Sequence, residues 1–411
     1  MILYRLIWIL AIVLIPIGAL IRVLQNKDSF ATFGRRVWPE RGGDREVIWL
    51  HAVSFGELQV LELLLDQMRG SGASNFLITV SNVKAYKSAK QRFAGKADVV
   101  ISPLEFPFTL TRFISAWRPK CLITIENEIF PNRLSQMIKR DRPVYFVNAR
   151  LSEKSFQSWH NRPAFKEEIF KKIDFVWAQN EASGDWFKAL GVRKNVVRQI
   201  ENLKRLVRLS KSMDTPKLPF ERDKTLLAAS THPGEEEIII RAFREVRTEI
   251  PDLKLILAPR HIERATDIQK DLNDFNVTLR STSEPVIDQT DVYLADTHGE
   301  MAHWYSAAAI TFVGGSLVKI GGHTPYEPTQ FGSAILHGPH FSNFEAEYQS
   351  LAKVKGAIEC TNAEEISSKI KDLMDVRQRN TLVANAQAVI GYDPKHQKIL
   401  EEISQHILAR L

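Results

Sequence analysis

Carboxylates, paired glycines and cations recur at a few points of this 411-residue chain, each directly after an apolar run. In the stretch from Thr311 to Pro328, TFVGGSLVKIGGHTPYEP, the strand-like residues Ile310, Phe312 and Val313 lead into Gly314-Gly315-Ser316. A strand that ends in two glycines predicts backbone N–H groups free to face a phosphate, helped by a helix N-terminus at Ser316. Further on, Glu327 stands just before Pro328 and a predicted helix, where its carboxylate could accept hydrogen bonds from a ribose diol. A bare GGS is most often only a turn; the added GGH and EP at this spacing make the segment read as half of a nucleotide site.

The run HAVSFGE, His51 to Glu57, puts Gly56 and Glu57 at a strand-to-helix turn, the rim on which open α/β sheets bind ligands. A carboxylate there could take a proton from a sugar hydroxyl, or it could simply favour the helix dipole. Ser54 reads as the helix cap rather than a nucleophile. In ITIENEIFPN, Glu126 and Glu128 follow a strand immediately and start on one face if the extended geometry persists, suited to sugar hydroxyls or to orienting a basic residue, or else standing as solvated loop charges. The runs AASTHPGEE (Ala228 to Glu236) and APRH (Ala258 to His261) also follow strands, and Arg260 suits a phosphate or carboxylate. His232 and His261 lack a third ligand at a recognisable spacing, so they read as polar loop residues and not as a metal site. In DTHGEM, Asp296 caps a helix or binds a ligand, with both readings open.

These segments need strands to end where they begin. Strands are predicted over Glu46 to Ala52, Phe76 to Val80, Ala97 to Ile101, Cys121 to Ile125, Val144 to Val147 and Phe175 to Ala178. A second series covers Leu226 to Ala229, Lys254 to Ala258, Val292 to Ala295, Ala309 to Val313 and Ala334 to Leu336. Amphipathic helical segments alternate with them, among them Asn82 to Phe93, Pro107 to Trp117, Pro131 to Lys139, Glu181 to Leu190, Gly234 to Glu249 and Ile262 to Phe275. That alternation predicts parallel, doubly wound sheets. The chain length suits two domains. The polar stretch 206–222, with Pro216 and Pro219, reads as a linker between domains at 26–205 and 223–411.

Hydrophobic residues make up 44% and charged residues 25% of the chain, values of a globular protein, and no internal repeat is evident. Two cysteines without ligand spacing exclude a disulfide framework or a zinc site. The net charge of +7 calls for an acidic partner. No nucleic-acid module is present, whereas Ile2 to Leu24 is largely apolar over a bilayer-spanning length, and its C-terminal flank carries Arg22, Lys27, Arg35, Arg36 and Arg41. An uncleaved anchor at residues 1–25, with the basic flank and both domains on the cytoplasmic side, is the expectation.

In their order along the chain, HAVSFGE, SPLEFPF, IENEIFPN, NARLSEKS, ENLK, STHPGEE, APRH, DTHGE, FVGGS, GGHTPYEP and HGPHFSNF resemble the 3-deoxy-D-manno-octulosonic acid (Kdo) transferase family of lipopolysaccharide biosynthesis. The resemblance covers nearly the whole chain. It implies an α/β protein of the GT-B class, two Rossmann-like doubly wound domains facing across a cleft with an N-terminal membrane-anchoring helix. It implies metal-independent, inverting transfer of Kdo from CMP-Kdo to a lipid A precursor at the anionic cytoplasmic face of the inner membrane, without cofactor or nucleic-acid partner. Glu57 matches the family's general base. Gly56, Glu126, Arg35 and Arg36 are implied on the acceptor side; Lys204, Arg260, Gly299, Glu300, Gly314, Gly315, Ser316 and Glu327 around CMP. The chain departs from the family pattern at Glu201 (Gly), His298 (Met), Thr324 (Asn) and Phe130 (Trp), lacks the aspartate that follows the lysine of ENLK, and carries SNVKAY after its second strand. The alternatives are a non-catalytic paralogue that binds phosphoglycolipid or a partner enzyme, and a GT-B enzyme for another nucleotide sugar.

Overall fold

The computed structural model describes residues 30–40, 42–126, 129–209, 216–282 and 284–411. The predicted anchor and Glu128 lie outside the described residues. Two seven-stranded parallel sheets organise the chain. The first contains β1 (Val47–Ala52), β2 (Phe76–Val80), β3 (Asp98–Ile101), β4 (Pro119–Ile125), β5 (Val144–Ala149), β6 (Phe175–Ala178) and β7 (Val197–Gln199), in the order β3-β2-β1-β4-β5-β6-β7. The second contains β8 (Thr225–Thr231), β9 (Lys254–Pro259), β10 (Val277–Leu279), β11 (Val292–Leu294), β12 (Ile310–Val313), β13 (Ala334–His337) and β14 (Ala357–Glu359), in the order β10-β11-β9-β8-β12-β13-β14.

Every residue of β1 is buried, as a central parallel strand covered on both faces requires. Its period of two divides the side chains: Ile48, Leu50 and Ala52 join one apolar cluster, Val47 and Trp49 the other. The helix Phe55–Gly70 covers the first face with Leu58, Leu61, Leu65 and Met68, which recur at helical spacing. In the second sheet Leu226, Leu255, Leu257, Phe312 and Leu336 fill one face; Leu227, Ala229, Ile256 and Tyr293 fill the other.

The chain divides into one unit of residues Met1–Val207 plus Asp393–Leu411 and a second of Arg208–Tyr392. This corrects two expected boundaries. The C-terminal helix Lys395–Leu408 belongs to the first unit, where Leu400, Ile403 and Ile407 join its core. Burying each such side chain contributes roughly 1.5–3 kcal/mol, ample to fix the helix there. The stretch read as a linker is packed at both ends: Leu206 in the first core, Leu209, Leu218 and Phe220 against the second. Three strands escaped the sequence reading, β7, β10 and β14, each three residues long. All three lie at sheet edges, where a short strand with few apolar residues suffices. The helix expected over Ile262 to Phe275 is a 3-10 turn at Ile262–Arg264 followed by a short helix, Ala265–Lys270.

Candidate active site

In the first sheet the strand order reverses between β1 and β4. The loops leaving those two strands diverge to opposite faces, the position at which doubly wound sheets hold ligands. Glu57 comes from the loop after β1. Ser54 caps the following helix by accepting from the Glu57 N–H, and the Glu57 carboxylate reaches back to accept from the Val53 N–H (2.7 Å) and the Ser54 hydroxyl (2.9 Å). The arrangement is a variant of the capping box in which the carboxylate takes the N–H of the residue before the cap; it puts Glu57 in the first helical turn and fixes the carboxylate at the strand's carboxyl end. The residue is buried, 8% exposed.

Glu126 stands on the other side of the switch point, directly after β4, with φ +59. A left-handed backbone at a residue other than glycine costs on the order of 1–3 kcal/mol and clusters at functional sites. Its Oε1 lies 2.6 Å from Lys204 Nζ. Two asparagines place that lysine. Asn148, also left-handed at φ +55, accepts from the Leu203 N–H at 2.9 Å and donates to Asn202 Oδ1 at 3.1 Å, while Asn202 accepts from the Lys204 N–H. A Cβ added to Gly56 would lie 3.7 Å from Lys204 Nζ, so the ammonium rests over the first turn of the Glu57 helix. Gly56, Glu126 and Lys204 therefore lie together, with Glu57 next to Gly56 in the same helical turn, and Lys204, expected with the donor residues, belongs to the first unit.

Arg35 and Arg36 both have partners within the protein. Arg36 donates to the carbonyls of Ser81 (2.6 Å) and Ser102 (3.3 Å), beyond the ends of β2 and β3, and Arg35 pairs with Glu40 at 3.1 Å. Glu201, where the family has glycine, turns its carboxylate to Arg205 and to His396 Nε2 (2.7 Å) on the C-terminal helix. That is the compensation a carboxylate next to Lys204 needs.

In the second unit the order reverses between β8 and β12, and the loops after them meet. Gly314 permits this approach, since a Cβ there would fall 2.6 Å from the Ser230 carbonyl oxygen. Ser230 itself is left-handed (φ +56) at a register shift of β8 against β9. The N–H groups of the Gly315-Ser316 turn face an anion, but it is the protein's own. Glu235, fully buried, accepts from the N–H groups of Gly315 (2.6 Å), Ser316 (2.9 Å), Leu317 (2.8 Å) and His232 (2.9 Å). The expectation of a free phosphate cradle at GGS is thus overturned, and residues 316–320 form turns with no helix starting at Ser316. Glu235 does not stand out within AASTHPGEE, where it is one of two adjacent glutamates. The signal that would have found it is an acidic residue closing a strand-to-helix loop next to a glycine-rich strand end.

Around this nest His232 and His323 share a hydrogen bond between their Nε2 atoms at 3.0 Å, and the His261 ring meets His232 edge-on. Burial pushes His323 down to about 3, with further lowering by His232, Arg260 and His261. Burial, then His261 and Arg260, lowers His232 in the same way. Both rings are therefore neutral at neutral pH, one donating and one accepting. Arg260 donates its backbone N–H to the Thr231 carbonyl (2.9 Å) and is exposed, with its positive charge close enough to be felt by both imidazoles. Among the described residues no group of three or more His, Cys, Asp or Glu side chains could hold a metal ion.

Of the remaining expected donor residues, Glu327 on the short helix Tyr326–Gln330 hydrogen-bonds the buried Tyr305, whose hydroxyl is raised well above its usual range by burial and by that carboxylate. Glu300 is gripped by the Arg280 guanidinium (2.8 Å from Nη2), beside Gly299 with φ +92. Asp296 does not cap the helix Met301–Ala307, which Glu300 precedes; it accepts from the Ser281 N–H and hydroxyl.

Two doubly wound units, each a seven-stranded parallel sheet whose strand order reverses at a topological switch point, define a GT-B protein, and solved structures of that architecture agree. The UDP-GlcNAc 2-epimerase from Neisseria meningitidis, solved with UDP-GlcNAc, superposes with a TM-score of 0.58 at 14% identity, over 89% of this chain and 99% of that one. A Staphylococcus aureus protein solved with UDP gives 0.58 at 12% identity over 89% and 98%. At these identities the likeness concerns the fold alone. The family model for 3-deoxy-D-manno-octulosonic-acid transferase matches residues 31–207. The Kdo transferase of Haemophilus influenzae is 32% identical over 376 residues, 89% of this chain and 86% of the relative. That of Rickettsia bellii is 29% identical over 98% of both. The chain belongs to the 3-deoxy-D-manno-octulosonic acid transferase family of glycosyltransferase enzymes.

Proposed function

We propose that the protein transfers Kdo from CMP-Kdo to a lipid A precursor, with inversion, in lipopolysaccharide biosynthesis. The observation that carries this reading is Glu57, an oriented carboxylate at the first switch point, with the Lys204–Glu126 pair beside it, on residues that match the family's motifs. In the reaction the acceptor hydroxyl oxygen attacks the anomeric carbon of Kdo. Its proton passes to Glu57, and the bond to the phosphate oxygen breaks, leaving CMP with the electron pair. The Val53 N–H and the Ser54 hydroxyl hold the Glu57 carboxylate for that proton transfer, a contribution typically of about 10²–10⁴-fold. Lys204 supplies positive charge near the site, and Glu126, by holding the ammonium, sets where that charge lies. Arg260, exposed on the loop after β9, is suited to the CMP phosphate or the sugar carboxylate, and Glu327 to the ribose.

The apolar run Ile2 to Leu24 and the net charge of +7 support an N-terminal anchor that holds the enzyme at the anionic cytoplasmic face of the inner membrane. A single-turnover assay with CMP-Kdo generated in situ and a tetraacylated lipid A precursor tests the reading. Product is expected from the wild type and not from Glu57→Ala, and its mass counts the sugars added. No product from the wild type, with acceptor binding retained, would point to another donor or a non-catalytic paralogue.

A further inference from the structure

Glu235 is a fully buried carboxylate held by the backbone. Four N–H groups satisfy it, two on each oxygen: His232 and Gly315 on Oε2, Ser316 and Leu317 on Oε1. These donors come from the two loops at the second switch point, so one side chain ties the loop after β8 to the loop after β12. On that tie rest the other groups of the site. The His232 ring, whose backbone N–H the carboxylate holds, bonds His323, and both imidazoles lie against Gly315, where an added Cβ would approach His323 Cδ2 to 3.1 Å and His232 Cδ2 to 3.4 Å. Gly315 takes φ +69, a conformation that the nest requires.

The geometry points to Glu235 as a positioning residue for donor binding: an internal anion occupies the backbone nest and sets the loops, so that the donor's phosphate is taken by side chains such as Arg260 and not by the GGS amides. The inference rests on the proposed CMP-Kdo reading and goes beyond it in saying which amides are closed to the phosphate. A carboxylate is needed because the neutral isostere fits only half the nest. In Glu235→Gln the amide NH₂ would face two N–H donors with no acceptor between them, and a buried donor so stranded is costly.

The test measures CMP affinity by calorimetry, and KM and kcat for CMP-Kdo, in wild type, Glu235→Gln and Glu235→Ala. Each variant is assayed with sodium acetate or with sodium chloride at equal ionic strength. A rise of about tenfold or more in CMP Kd and in KM is expected for both variants, with kcat changed less. Acetate, but not chloride, should restore Glu235→Ala, since a small carboxylate can refill the nest. Unchanged CMP affinity in Glu235→Gln would overturn the assignment, as would a defect in Glu235→Ala that acetate leaves untouched. Wild-type amide NMR covers the case in which neither variant folds. The Gly315, Ser316 and Leu317 N–H signals should stay at their hydrogen-bonded positions when CMP is added, and large shifts would mean that the phosphate displaces the carboxylate. A wild type that binds no CMP while these amides remain carboxylate-bonded would instead overturn the proposed donor, leaving the nest as described.

Discussion

Both sheets reverse their strand order at the same topological place, yet they use carboxylates there in opposite ways. At β1/β4 the acids are kept at the strand ends: Glu57 in a capping box, Glu126 on a left-handed backbone against Lys204. At β8/β12 the acid is taken inside, fully buried on four amides, and the groups left around it are a neutral histidine pair and the exposed Arg260. On the proposed function, the same β-loop-α geometry thus yields a proton-accepting surface in one unit and an anion-accepting one in the other. The difference comes from which residue fills the backbone donors that every such strand end presents.

Apart from loss of Glu57 itself, breaking the Lys204–Glu126 pair should have the largest effect. Lys204→Met is expected to lower kcat/KM about 10²–10³-fold, the cost typical of losing one preorganised electrostatic group. Because both side chains are largely buried, 17% and 11% exposed, the double variant with Glu126→Gln should lose much less than the sum of the two singles. Steady-state kinetics over the four proteins checks this, and simple additivity would mean that the pair does not act as a unit.

Gly315→Ala should act on the second unit alone. It places a Cβ at φ +69 against His323, with an expected cost of about 1–3 kcal/mol in denaturant unfolding. Gly56→Ala, whose Cβ would meet Lys204 only at ordinary contact distance, should cost no more than a few tenths by comparison.

The histidine pair gives a smaller, pH-dependent signature. His323 is held down to about 3 by burial, against 6.5 when unfolded, so the unfolded chain binds the extra proton between those values. Stability from this group is present in full above pH 6.5 and is lost as pH falls toward 3. Thermal unfolding from about pH 7 to about pH 4 should show that slope, and His323→Gln should flatten it. Glu201→Ala should matter little. Its carboxylate is 57% exposed, so losing its bonds to Arg205 and His396 should cost less than about 1 kcal/mol by the same unfolding measurement.

Much of this contrast was readable from residue types. The central strands announced themselves because burial on both faces demands continuous apolar runs, and the acidic and glycine-rich loops after them marked the switch points. What was not readable depended on pairing at a distance. Nothing local to ENLK says that Lys204 reaches Glu126, because the reach is set by Asn148, more than fifty residues earlier in the chain. Glu235 sits in a motif most of whose amide partners lie about eighty residues downstream. The C-terminal helix looked like the end of the second domain because an amphipathic stripe of Leu400, Ile403 and Ile407 specifies a face to bury and not the core that receives it.

The central claim is that proton acceptance belongs to the first unit's switch point and CMP binding to the second's. Calorimetric titration of CMP into wild type, Glu57→Gln and Arg260→Ala tests it most directly. The account predicts that Glu57→Gln, inactive in transfer, binds CMP within about twofold of wild type, whereas Arg260→Ala loses about tenfold or more, the weight of a charge-assisted phosphate contact. Equal weakening by both variants, or an Arg260→Ala protein that binds CMP like the wild type, would contradict it.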